Sequence, residues 1–357
     1  MADKTLVFLL HGMGVHKKGW SMSVQEALNT HAQTYEFFKT KKNGKDIADL
    51  VDFHELVYDN VFETATTNWD KQSRKLLEEV APEDKDTAER AVGWLDGMGK
   101  KEDNFAWTHA VDVLLWRFSS FVRNTIKTQV AAEVTREVVE RSKRSDLRQV
   151  RCMMISHSLG TAVAHDTLAD IAAGRFATPG APINGFHPKG FRFAALHTIA
   201  NVSKILELDG YPVYSSRIRP GPNGDDASYC VKFFNYHNKF DPFTVPRPFE
   251  PDWPVQIYND KAVSHLYDKN PHAIEHYLLN PKVHAPMLRS IMGDARTVTS
   301  AEETESIRKF KQFQLKGTEA AKEKVRKKIN DAVESMGKSM DMIDFVKGIQ
   351  LFFGEKP

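Results

Sequence analysis

The sequence predicts an α/β protein with a mostly parallel central sheet and helices on both faces. Two observations carry this. Apolar runs of strand length alternate with longer segments of helical periodicity along most of the chain. Those runs are apolar at consecutive positions, as strands buried on both faces are, and not alternately polar. Thr5-Leu6-Val7-Phe8-Leu9-Leu10 is the first, too short to span a membrane, and it ends in His11-Gly12-Met13-Gly14-Val15-His16. Ser21 to Lys39 reads as a helix, Lys41-Lys42-Asn43-Gly44 as a turn, and Asp49 to Tyr58 as the next strand. A long helical stretch follows from Val61 to Lys143. Val150 to Ser156 is a buried strand breaking into a tight turn, and Gly160 to Ala173 is a helix with Gly174 as its C-cap. Phe191 to Ile199 and Cys230 to Tyr236 read as further strands, separated by a Pro-, Gly- and Asp-rich loop over Tyr211 to Ser228.

The turn after Ile155 holds the chemistry. Ser156-His157-Ser158-Leu159-Gly160 places Ser158 at the apex between strand and helix. A serine hydroxyl is a poor nucleophile unless such a turn exposes it to a base and to backbone donors. Small residues two before and two after the serine let strand and helix approach, and Ser156 and Gly160 supply them. Downstream, Asp241-Pro242 closes a strand end, and Asn270-Pro271-His272 enters a helix carrying His276. Two residues compete for the base. His272 sits where loop meets helix, whereas His276 falls one turn later on the same helical face. The order Ser158, Asp241, His272 is serine, acid, histidine. Each residue also has a plain structural reading: Ser158 as a helix N-cap, Asp241-Pro242 as a turn.

Together, these motifs resemble the α/β-hydrolase superfamily, serine esterase/lipase type, over about residues 5 to 290. The likeness rests on His11-Gly12-Met13-Gly14 and on Ser156-His157-Ser158-Leu159-Gly160. It implies acyl transfer to Ser158 with His272 (alternatively His276) as base and Asp241 as acid. It also implies an oxyanion hole built from the backbone amides of Met13 and Leu159, and hydrolysis of a small-molecule or lipid carboxylic ester. No cofactor is implied. His11 and His16 alone lack the Cys, Asp or Glu spacing of a metal site, so no metal is expected; His11 is expected to brace the loop. The alternative is a catalytically silent hydrolase-fold protein that binds a partner or a membrane.

Two regions depart from simple alternation. Residues 61–145 exceed what one crossover needs and carry Trp69, Trp94, Trp107 and Trp116 of six tryptophans. They either cover the sheet or form a cap over an acyl pocket. Residues 296–357 form a helical extension to a domain spanning 1–295. There Ser300-Ala301-Glu302-Glu303 fits a capping box, and Gly317-Thr318 separates two helices. The second helix carries Val325, Ile329, Val333, Met336, Met340, Ile343 and Val346 on one stripe, opposite lysines, before Leu351-Phe352-Phe353. Such a helix lies on a membrane surface, mediates self-association, or packs back on its own domain.

Composition narrows the class. The 357 residues are 41% hydrophobic with net charge +2, which gives a large core and no pull toward nucleic acid. Two cysteines make no disulfide framework. With no basic leader and no run of transmembrane length, a cytoplasmic location is expected.

Overall fold

In the computed structural model, the described residues are 4–41, 45–80, 82–98, 105–143, 146–176, 190–206, 218–222, 228–246, 248–266, 270–294, 297–310, 319–336, 344 and 347–348. The Gly317-Thr318 break, the Leu351 to Phe353 end and most of Tyr211 to Ser228 lie outside them.

Six parallel strands form one sheet in the order β2-β1-β3-β4-β5-β6. They are β1 (Leu6–Leu10), β2 (Asp52–Leu56), β3 (Cys152–His157), β4 (Ala195–Ile199), β5 (Phe233–Asn238) and β6 (Asn259–Val263). Period-two geometry sends alternate side chains to opposite faces. Leu6, Phe8, Leu10, Cys152 and Met154 enter one core, while Val7, Leu9, Met153 and Ile155 enter the other. Both faces are covered, which is why β1 is apolar at every position.

The second core is covered by α1 (Met22–Ala32), α2 (Ile47–Leu50), α9 (Ile274–Leu278) and α10 (Pro281–Met292). The first is covered by α7 (Ser120–Ser142) and α8 (Leu159–Ala172). It continues without a break into α3 (Asp59–Thr67), α4 (Trp69–Glu79), α5 (Lys85–Met98) and α6 (Phe105–Phe118). Trp69, Trp107 and Trp116 are buried in the same cluster as Phe8 of β1. The helices of residues 61–145 thus share one continuous apolar cluster with that face of the sheet.

Several boundaries move from those the sequence predicts. Helix α1 stops at Ala32, with a π-helical turn at Phe37–Lys41. Ile47 to Leu50 is helical and not the start of β2. Strand β4 begins at Ala195, although Phe193 still bridges Cys230. Strand β6 was not expected from the sequence. It pairs only with β5 as an edge, and its polar Asn259-Asp260-Lys261 start gives no buried-strand signal.

In the extension, α11 (Ser300–Phe310) is capped one residue earlier than the Ser300–Glu303 reading. The Thr299 backbone and hydroxyl donate to the Glu302 carboxylate at 2.9 and 2.7 Å, and Glu302 N–H returns a bond to Thr299 Oγ1 at 3.2 Å. Helix α12 (Glu319–Met336) buries Ile329 and Ala332 in the first core, with Val333 against them. At these positions its apolar stripe folds back on the chain's own domain. Among the described residues no helix is long and apolar enough to cross a membrane.

Candidate active site

In this strand order β2 and β3 lie on opposite sides of β1, so the connections leaving β1 and β3 diverge. The crevice at the carboxyl ends of strands at such a switch point is the usual ligand site of an open parallel sheet. The chain places His11 to His16 after β1 and Ser158 after β3 there, with Leu10 paired beside Ser156.

Ser158 ends the strand at φ 52° and ψ −128°, a region that non-glycine residues seldom occupy. Such a conformation costs on the order of 1–3 kcal/mol and persists only when its surroundings enforce it. Here the Ser158 N–H donates to Ile199 O at 3.0 Å, while its carbonyl accepts from Thr161 N and Oγ1 at 2.8 and 2.6 Å. Gly160 allows the close approach: a β-carbon there would lie 2.2 Å from the His11 carbonyl oxygen. Ser156 fits the other small position, its hydroxyl donating to His197 O at 3.4 Å.

Three side chains the sequence singles out meet at this turn. His272 Nε2 lies 2.8 Å from Ser158 Oγ, and its Nδ1 lies 2.9 and 3.0 Å from the two Asp241 oxygens. With Nδ1–H donated to the carboxylate, the neutral ring presents a lone pair at Nε2 to the serine. Asp241 is fully buried and further held by Tyr277 Oη–H at 2.7 Å and Phe243 N–H at 3.0 Å. His276 is elsewhere. Its ring stacks on His265 with centroids 4.3 Å apart, and burial with the neighbouring His265 drives it down to about 3. The expected shared face does not form, because Ala273 is extended and α9 begins only at Ile274.

The loop after β1 passes directly beside the serine. A β-carbon on Gly12 would stand 2.8 Å from Ser158 Cβ, so only a glycine backbone fits. Leu159 opens α8, where the first helical N–H groups have no partner within the helix. No hydrogen bond among the described residues engages the Met13 or Leu159 N–H. The loop is clamped from outside: Gly14 N–H donates to Asp112 Oδ2 of α6 at 2.9 Å, and Tyr58 Oη–H to His11 O at 2.6 Å. Burial pushes the Asp112 carboxyl well above the usual carboxylate range, helped by the nearby charges of Asp59 and Glu63.

His157, adjacent to the serine, donates from Nε2 to the His272 carbonyl at 2.7 Å. Burial and the adjacent His272 lower it to about 3, so it is neutral near pH 7. A cavity of about 340 Å³ opens over Ser158, lined by five imidazoles (His11, His16, His109, His157, His272) with Trp20, Ser23 and Glu275. Its described lining contains no Lys or Arg. His11, His16 and Asp59 also converge at its edge, close enough together to hold a metal ion.

Sequence reasoning missed Tyr277, Asp112, Tyr58 and Asp59. Asp112 contacts Gly14 across 98 residues and Asp59 contacts His16 across 43, separations that leave no local pattern. Tyr277, five positions after His272, carried no distinguishing signal beyond its place on the helix that the His272 loop enters.

No known protein family model matches this chain, and no curated protein or solved structure matches it either.

Proposed function

We propose that the chain is a serine hydrolase of carboxylic esters with an α/β-hydrolase fold. One observation carries this reading: a buried, hydrogen-bonded relay from Asp241 through His272 to Ser158 Oγ, on a strained turn at the switch point of a parallel sheet. In that mechanism His272 Nε2 takes the Ser158 proton as Oγ attacks the ester carbonyl. The oxygen of the tetrahedral adduct is held by the Met13 and Leu159 amides, each worth about 3 kcal/mol in comparable sites. His272 then protonates the departing alkoxide, leaving the acyl group on Ser158. Water attacks that ester with His272 again as base, releasing the acid and restoring the serine. Asp241 fixes the imidazole tautomer and stabilises the imidazolium without taking its proton.

A pocket of about 340 Å³ lies at the small end of ligand sites. A described lining with one carboxylate and no Lys or Arg favours short, uncharged or cationic esters over anionic ones. The test uses a fluorophosphonate probe and p-nitrophenyl esters of increasing acyl length. Rapid labelling that disappears in Ser158→Ala and His272→Ala but survives in His276→Ala supports the reading. Absence of labelling and turnover in folded wild type would favour a silent binding protein. Turnover rising steadily to long acyl chains would contradict the small pocket.

A further inference from the structure

We propose that His11, His16 and Asp59 form a binding site for a single divalent transition-metal ion, with zinc the best match. The inference is independent of the ester-hydrolase reading. One ligand atom from each residue lies within 4.8 Å of the others. His11 Nε2 is 3.5 Å from Asp59 Oδ1, and His16 Nδ1 is 3.5 Å from Asp59 Oδ2. Those separations exceed a good N–H···O hydrogen bond. Each imidazole faces a different oxygen of the one carboxylate, at close to the roughly 3.4 Å that separates two donors standing about 2.0–2.1 Å from a zinc ion.

A second observation points independently to a ligand. The His11 ring is 1% exposed, and its Nε2 has no hydrogen-bond partner. Its Nδ1 lies 2.9 Å from the Gly12 carbonyl and can only donate to it, so the neutral ring keeps a bare lone pair at Nε2 beside the carboxylate. An imidazole fixed through one nitrogen to a backbone carbonyl, with the other left open, is the usual preparation of a metal-ligating histidine. Leaving such a lone pair buried and unmatched is costly. Its ring is wedged between His16 and Tyr58, with centroids 4.2 and 4.1 Å away, so it cannot swing to another partner.

His16 supplies the open side of the site. Its side chain is 27% exposed and lines the cavity, giving the ion an entry path and room for water as a fourth ligand. Binding through Nδ1 exchanges the contact of that atom with Gly14 O at 2.9 Å for a metal bond. Asp59 is already oriented by the His16 backbone N–H. Two nitrogens and one carboxylate with a water suit zinc better than calcium or magnesium, hard cations that take oxygen ligands. Both histidines sit on the loop that carries Met13, whereas Asp59 opens α3. The ion would therefore tie that loop to the helical layer.

The test is zinc titration of tag-free, chelator-stripped full-length protein against a chromophoric chelator, followed by cobalt substitution. The expected result is one zinc per chain, with cobalt giving intense visible bands of four-coordinate geometry. Affinity should fall on the order of 100-fold or more in His16→Ala and Asp59→Asn. It should be unchanged in Ser158→Ala, which separates this inference from the hydrolase reading. The partly exposed His16 keeps the test usable if Asp59→Asn fails to fold, with circular dichroism as the check. No stoichiometric zinc, or equal affinity in wild type and His16→Ala, would overturn the proposal.

Discussion

Two buried aspartates face histidines on opposite sides of Ser158, and they use the same residue types differently. Asp241 holds His272 at 2.9 and 3.0 Å and is itself held by Tyr277 and Phe243, so every polar atom in that chain is satisfied. Asp59 stands 3.5 Å from the rings of both His11 and His16, and a buried imidazole nitrogen is left without a hydrogen bond. About half an ångström separates a relay that orients a proton from a cluster spaced for a cation. The difference teaches that residue type and burial do not define a site; distance and the fate of each lone pair do.

The strongest way to break this contrast is to disable the closed pair. Asp241→Asn should lower kcat by about 10⁴-fold while leaving the fold intact, by analogy with triads in which the tautomer is lost. A drop of less than about tenfold in ester turnover would mean that the relay is structural. His276→Ala should stay within about threefold of wild type in the same assay, because its ring stacks on His265 and does not reach Ser158.

The next largest effect concerns the turn both sides share. Gly160→Ala would drive a β-carbon to 2.2 Å from the His11 carbonyl, on the loop that carries the open pair. A loss of more than about 4 kcal/mol is expected, read as failure to accumulate soluble protein or as a collapse of the urea midpoint.

Acid sharpens the contrast in another way. His157, His197, His276 and His284 are each driven by burial from 6.5 down to about 3. The unfolded chain takes up protons there that the folded chain refuses, so this stability is complete above pH 6.5 and is lost as pH falls toward 3. At pH 5 each such histidine costs about 2 kcal/mol, which summed over four approaches the stability of a typical domain. The urea midpoint should therefore fall steeply between pH 6.5 and 5. A flat profile would show that these rings are solvated.

A smaller loss tests the support of Asp241. Tyr277→Phe removes the hydroxyl that donates to Asp241 and accepts from Asn238 N–H at 3.0 Å. About a tenfold loss in kcat is expected, with a loss of stability of about 1–2 kcal/mol. An unchanged kcat with reduced stability would assign Tyr277 to packing alone.

Much of the fold could be read locally. Consecutive apolar residues in Leu6 to Leu10 and Cys152 to Ile155 announce strands buried on both faces, and Ser158 stands where strand gives way to helix. The placement of Asp241 and His272 also followed from local punctuation: a proline turn and a loop entering a helix. Other features could not be read that way. Strand β6 is a polar edge, so burial leaves little mark on its sequence. The choice between His272 and His276 depended on where α9 starts, a one-turn question that periodicity does not resolve. Asp59 and Asp112 reach the loop after β1 only through the packing of α3 and α6. The fate of Ile329 and Ala332 was equally non-local, since an apolar stripe says that it will be covered and not by what.

The strand order carries a consequence for synthesis. Strand β1 lies between β2 and β3, yet Leu6 pairs with Cys152, 146 positions later. At about 5–20 residues per second, a ribosome needs roughly 7–30 s to deliver that partner. Until then one edge of an entirely apolar strand has no neighbour, the circumstance in which nascent chains associate with one another or recruit chaperones. Slower translation through the helices between β2 and β3 would lengthen that window, so the yield of folded protein should depend on elongation rate there more than anywhere downstream of Ser158.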